Sequence, residues 1–440
     1  MLQNIRELFE KHNIRRVKLG AFDIDCTLRG KYISLDKFWP AAESGSAFCD
    51  VIFGWDIGDV LYDNAKVTGW HTGFPDATTR IDLDSFRLIP WEPGTAFFLM
   101  DFVNVAGIAP RQVLQRVIGK AGQYRACFSA EYEFFCFRET PHSLREKNYR
   151  KLTPLSPGSF GYSVLRASEN SELALQLFDQ LAAFGIPIEG FHTETGPGVY
   201  EAAIAVDEAL SAADKGALFK TAVKEIASRH GVIPTFMAKW NADLPGSSGH
   251  LHQSLWAPEK HRNLFSDGAG GMSGLMQHYI AGLVANLPEL AAIFCPTVNS
   301  YKRTVPGAWA PINATWGVDN RTTAIRAIPG GAKSTRVELR LTGADINPYL
   351  AIAASIAAGI DGVERELPLP PPTVNAYSGD APALPRTLAE AAARFRQSQV
   401  ARRWLGDDFV EHYAGTREWE SRQFDKAVTD WELARYFESI

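Results

Sequence analysis

Glu131 and Glu133 lie two residues apart in SAEYEFFCF, a stretch with the pattern of a strand, so alternation places both carboxylates on one face beside aromatic side chains. Carboxylates crowded in apolar surroundings repel, and a hard divalent cation such as Mg2+ or Mn2+ relieves that repulsion. Alone, E-x-E is more simply the wet edge of an amphipathic strand. Glu194 and Glu201 bracket TGPGVY, where Gly196, Pro197 and Gly198 can fold the chain back and bring both carboxylates to one point. In PGSSGHLHQSLW a Gly/Ser loop leads into His250 and His252, which share a strand face in a pattern used for metal or phosphate. Arginines complete the set: Arg303 in NSYKR, Arg321 and Arg326 in DNRTTAIR, and Arg336 and Arg340 flanking Glu338 in STRVELR. Taken alone, RVELR is a salt-bridged ladder. Beside the other candidate ligands it suggests guanidinium forks arranged around phosphate and carboxylate.

These groups need a large scaffold to bring them together. The 440 residues, 46% hydrophobic and 22% charged, have ordinary globular composition and are enough chain for two or three domains. A formal net charge of -5 leaves no basic footprint for nucleic acid. Five cysteines without a C-x-x-C pair suggest neither a disulfide framework nor a zinc knuckle, and point to a reducing, cytoplasmic setting. The N-terminus has helical spacing (Leu2, Ile5, Leu8, Phe9) in place of a signal peptide. The most apolar stretch, from Pro348, is broken by Gly359 and Asp361 short of the roughly 18 to 20 residues a membrane span needs, and reads as a buried helix.

The pattern predicts an N-terminal unit over residues 1–107, rich in short strands, with VKLGAFDI and TLRGKYIS forming a hairpin. A second unit over residues 108–440 opens with a helix at PRQVLQRVIGKAG and the strand CFSAEYEFFCF. Residues 139–160 form a polar loop, and helices over 171–184 and 207–230 alternate with strands at GFHTET, YEAAIA, TFMAKW and HLHQSLW. Helix and strand are interspersed, so the class is α+β or α/β. LPLPPP is a rigid connection to a C-terminal helical region suited to packing or subunit contact.

AEYEFFCF, TGPGVYE, SGHLHQSL, NSYKRTVPG, APINATWGVDNRTTAIR and RVELRLTGADINPYLA, in this order, resemble the glutamine synthetase family over about Val17 to Val363. The resemblance implies an α+β fold, a β-grasp domain followed by a catalytic domain on a curved antiparallel sheet, and homo-oligomeric rings with active sites between subunits. It implies that Glu133, Glu194 and Glu201 hold one divalent cation, and Glu131, His250 and Glu338 a second. His252 and Arg326, with Arg336 nearby, correspond to ATP phosphate contacts, and Arg303, Arg321 and Arg340 to the arginines holding glutamate and the transferring phosphoryl group. The implied reaction makes γ-glutamyl phosphate, which an amine attacks to give a γ-glutamyl amide.

Departures from the family pattern bear on the amine. Where glutamine synthetases carry a site-closing Glu, RTVPGAW has Trp309, and Phe53 in DVIFGWDIG stands where an ammonium-binding Asp is usual, with Asp50 and Asp56 close by. LPGSSGH has Pro245 in place of a substrate-binding Asn. Phe53, Trp55 and Trp309, with Tyr162, would line an apolar pocket suited to an organic amine, leaving Glu194 to take the proton. This predicts a glutamate–amine ligase of the polyamine, monoamine or arylamine kind. The alternatives are a glutamine synthetase using ammonia, a catalytically silent family member, and a guanidino kinase on a related sheet. No counterpart of an adenylylated Tyr loop follows Leu367.

Overall fold

The computed structural model describes residues 2–259, 262–375 and 381–440. Helix α1 (Leu2–Lys11) buries Ile5 and Phe9 on one face and leads into the hairpin β1 (Arg16–Phe22) and β2 (Leu28–Ser34). Ser34 then caps α2 (Leu35–Ser44) by accepting from the Lys37 N–H. Strands β3 (Ser46–Cys49), β4 (Asp76–Ile81), β5 (Arg87–Leu88) and β6 (Thr95–Phe102) complete a sheet of order β2-β1-β6-β4-β3, with β5 on β6. The apolar run after Cys49 is not a strand: Asp50–Phe53 turns as one 3-10 helix and seals Phe53 inside, its ring 5.0 Å from Phe102.

After α3 (Pro110–Lys120) comes the long strand β7 (Arg125–Phe137), the spine of the second sheet. The polar loop that follows contains a short helix, α4 (Pro141–Glu146), held by the reciprocal Thr140–Ser143 cap. Helices α5 (Val164–Glu169) and α6 (Ser171–Ala183) lead to the hairpin β8 (Ile188–Thr193) and β9 (Val199–Ile204), then β10 (Asp207–Glu208) and α7 (Ala209–Ser228). TFMAKW is strand only at its start, in β11 (Ile233–Thr235). Beyond it Asn299 takes the Lys239 N–H and the chain leaves the ladder.

Strand β12 (Gly249–Trp256), helix α8 (Gly274–Phe294), and strands β13 (Trp316–Val318), β14 (Ile325–Ile328) and β15 (Arg336–Leu339) follow. The sheet order is β13-β14-β15-β12-β7-β9-β8, with β10 and β11 also on β7. The fold class is therefore α+β. One face of the sheet packs on helices, with Tyr132 stacked on Phe219 of α7. The other face carries the carboxylates.

The apolar stretch from Pro348 is α9 (Pro348–Glu364), buried at every residue from Pro348 to Gly362. It packs on α8 where Gly282 meets Gly362, so closely that a Cβ on either would lie under 3 Å from the other's backbone. Helices α10 (Leu388–Gln397), α11 (Gln399–Leu405), α12 (Asp407–Asp425) and α13 (Asp430–Tyr436) end the chain. Arg111 on α3 ties the first sheet to α7, reaching Asp82 and Asp101 on one side and Asp214 of α7 on the other. Arg417 of α12 is bonded to Asp25 of the first unit.

Candidate active site

Strand register explains why residues far apart in sequence meet. On β8, β9 and β7, His192, Glu201 and Glu133 lie directly opposite one another in a row. On β12, β15 and β14, His252, Glu338 and Arg326 form a second row, and His250 stands opposite Glu131. Directly paired residues project from the same face, so the two rows make one polar surface.

The acids fall into two groups. In the first, His250 Nδ1 lies 3.3 Å from a carboxylate oxygen of both Glu131 and Glu338, and His252 Nε2 is 3.5 Å from Glu131. Burial works against ionisation of Glu338, but His250, Arg340 and Arg326 hold its carboxyl down at about 2. Burial likewise opposes ionisation of Glu131, and the two histidines hold it far below the usual range. Burial, with Arg340 nearby, pushes the His250 ring below its usual range, and its Nε2 is enclosed and unpartnered.

In the second group, His192 is 3.0 Å from Glu201 and 3.8 Å from Glu194. Burial, with Glu131 and Glu133 nearby, pushes Glu201 up to about 7, while its bond to Glu201 draws His192 up to about 9. Glu133 accepts the Ser248 N–H at 2.7 Å. The loop joining Glu194 to Glu201 depends on Gly198, at φ +70, whose Cβ would sit 2.8 Å from the Cys136 carbonyl. Carboxylates and imidazole nitrogens drawn together from several strands are the donor set a divalent metal fits, and the Glu131, His252, Glu338 and the His192, Glu194, Glu201 atoms each lie within 4.8 Å of one another.

The arginines differ in how freely they face the site. Arg303 is 4% exposed and donates to the Leu341 and Arg340 carbonyls, its stem lying where a Cβ on Gly246 would stand. Arg340 bonds Glu338 and the Arg321 carbonyl. Arg336 donates Nε to His252, and Arg326 bridges Glu338 and Asp319. Arg321 is exposed.

At the rim, Tyr162 stacks on His192 with ring centroids 4.4 Å apart, and burial together with the nearby Glu194 and Glu201 raises its hydroxyl above the usual range. Trp309 is 67% exposed in the loop after Arg303, at φ +55. Phe53 corrects the sequence expectation: with its ring wholly enclosed, it offers no surface to an amine. Trp55 packs half-buried with Arg29 over its ring. Asp50 is bonded to Thr68, and Asp56 accepts from Trp419, so neither acid is spare. His192 and Asp319 were not singled out from sequence, yet His192 shares an H-x-E alternation with Glu194 that the rule applied to His250 and His252 would have found.

The family model for "Glutamine synthetase, catalytic domain" matches residues 107–436. The chain belongs to the glutamine synthetase family. It is 49% identical to "Type-1 glutamine synthetase 2" of Dictyostelium discoideum, over 96% of this chain and 84% of that protein. It is 40% identical to "Glutamate--isopropylamine ligase" of a Pseudomonas species (99% and 98%), and 39% to a gamma-glutamylethanolamide synthetase of Streptomyces coelicolor (100% and 96%). Among solved structures, "Apo GmaS without ligand" superposes with a TM-score of 0.85 at 26% identity, covering 98% of each chain. As a member of this family the protein is an ATP-dependent, metal-using ligase of glutamine synthetase type, with relatives among the glutamate–amine ligases. Among the described residues, no helix is long and apolar enough to cross a membrane.

Proposed function

We propose that this ligase joins the γ-carboxylate of L-glutamate to a small organic amine in preference to ammonia. The observation that carries the reading is Tyr162, stacked on His192, which itself lies 3.8 Å from Glu194, so that an aromatic wall stands next to the carboxylate suited to take the amine's proton. Trp309 adds an exposed indole where ammonia-using relatives are expected to carry a Glu.

In this reading Arg321 and Arg340, with the buried Arg303 behind them, orient glutamate and steady the phosphoryl group as it passes to the γ-carboxylate. His252, Arg326 and Arg336 hold the ATP phosphates. Two or more Mg2+ or Mn2+ ions on Glu133, Glu194, Glu201 and on Glu131, His250, Glu338 would supply neutralisation of the charge that keeps ATP and glutamate apart. Glu194 accepts the proton of the attacking amine. The chain assembles as a homo-oligomeric ring, a reading supported by exposed Trp70, Trp431 and Phe437.

The 49% identity to a protein named glutamine synthetase favours ammonia as the second reading. Phosphate release from ATP with glutamate and Mg2+, comparing ammonia with alkyl-, poly- and arylamines and weighing the products by mass, separates the two. An organic amine ahead in kcat/KM supports the proposal, and ammonia ahead overturns it.

A further inference from the structure

Arg326 has both edges of its guanidinium taken by carboxylates of its own chain. Nη1 donates to Glu338 at 2.8 Å, while Nε, at 3.0 Å, and Nη2 both donate to a single oxygen of Asp319. Two-pronged recognition of phosphate needs a guanidinium edge with two parallel N–H groups. The Nε/Nη2 edge is the one that Asp319 fills.

The two carboxylates are not equally movable. Glu338 is 1% exposed and is also held by Arg340, so it stays. The Asp319 side chain is 67% exposed, and only its backbone is pinned, by the N–H donated to the Ala327 carbonyl at 2.9 Å. It can turn out to solvent without disturbing β14. Asp319 also sits at φ +49, a left-handed position in the turn between β13 and β14.

We propose that Asp319 is a displaceable carboxylate that competes with nucleotide phosphate for the Nε/Nη2 edge of Arg326 and thereby sets the affinity for ATP and ADP. This rests on the reading of Arg326 as an ATP phosphate contact. In the resting enzyme Asp319 holds the guanidinium aimed across the sheet, and a phosphate entering must break that ion pair. Asp319 is thus a positioning residue, and removing its charge exposes the cost of displacing it. Exposed ion pairs are weak, so the effect is modest, about three- to fivefold in affinity.

The test is calorimetric binding of ADP with Mg2+ to the full chain, for wild type, Asp319→Asn, Arg326→Gln and the double variant, with KM for ATP and glutamate measured alongside. Asn tolerates the left-handed backbone, and Asp319→Gly serves as a second variant that does so with no side chain. The proposal expects Asp319→Asn and Asp319→Gly to bind ADP about three- to fivefold more tightly and to lower KM for ATP while leaving KM for glutamate unchanged. The double variant should match Arg326→Gln. If Arg326→Gln weakens ADP binding but neither Asp319 variant tightens it, the competition is refuted. If Arg326→Gln leaves ADP binding unchanged, the reading of Arg326 itself fails and the proposal falls with it.

Discussion

Glu133 on β7 and Glu201 on β9 are direct partners across an antiparallel pair, two like charges facing each other on a largely buried surface. Opposed like charges destabilise a sheet, and here the nearest relief from within the chain is His192, bonded to Glu201 from the next strand. In the proposed reading, a bound cation would relieve this repulsion.

Glu201→Gln should therefore melt higher than wild type in EDTA, by about 1 kcal/mol of stability, and gain less from added Mg2+ or Mn2+. Thermal melts with and without cation check this. A variant that melts lower in EDTA and gains as much from the metal would show that the pair is not strained.

Replacing the rim indole by a carboxylate tests the amine reading. Trp309→Glu should shift the ratio of kcat/KM for ammonia over the best organic amine upward by about tenfold or more, since one side chain in a specificity pocket commonly changes discrimination by that order. Steady-state kinetics with both acceptors gives the ratio, and an unchanged value would remove Trp309 from the pocket.

The turn carrying Glu194 is predicted to tolerate no side chain at its tightest point. Gly198→Ala would place a Cβ 2.8 Å from the Cys136 carbonyl and 2.9 Å from the Leu155 N–H nitrogen at φ +70. A loss of about 1–3 kcal/mol in denaturant unfolding is expected.

Glu139 anchors the loop leading to Tyr162. Its buried carboxylate receives Lys147, Ser143 and the Thr153 N–H, and these bonds lower it to about 2. An acid lowered on folding adds stability that is complete above its unfolded value of about 4.5 and is lost as pH falls through that value towards about 2. Hydrogen-exchange protection over residues 140–160, relative to the intrinsic rate at each pH, should fall across this window in wild type and already be low at neutral pH in Glu139→Gln.

The sequence by itself determined which side chains share a face, because alternation along one strand is local: Glu131 with Glu133, His250 with His252, and Arg336 with Glu338 need only an extended backbone to share a side. It also determined α9, whose mostly apolar run reads as a buried helix, and the capped and hairpin elements set by residues next to one another. Which strands lie side by side was decided by the tertiary structure, since register between β7, β9, β12 and β15 joins residues far apart in sequence, as with Glu133 and Glu201 or Glu131 and His250. The β8–β9 hairpin puts His192 against Glu201, and the turn between β13 and β14 gives Arg326 the carboxylate of Asp319, partners that no spacing within one strand announces. Burial was decided there too. Phe53 and Tyr162 are both aromatics beside a glycine in the sequence, yet packing against Phe102 closes the first into the core and a left-handed backbone at φ +56 holds the second out beside His192.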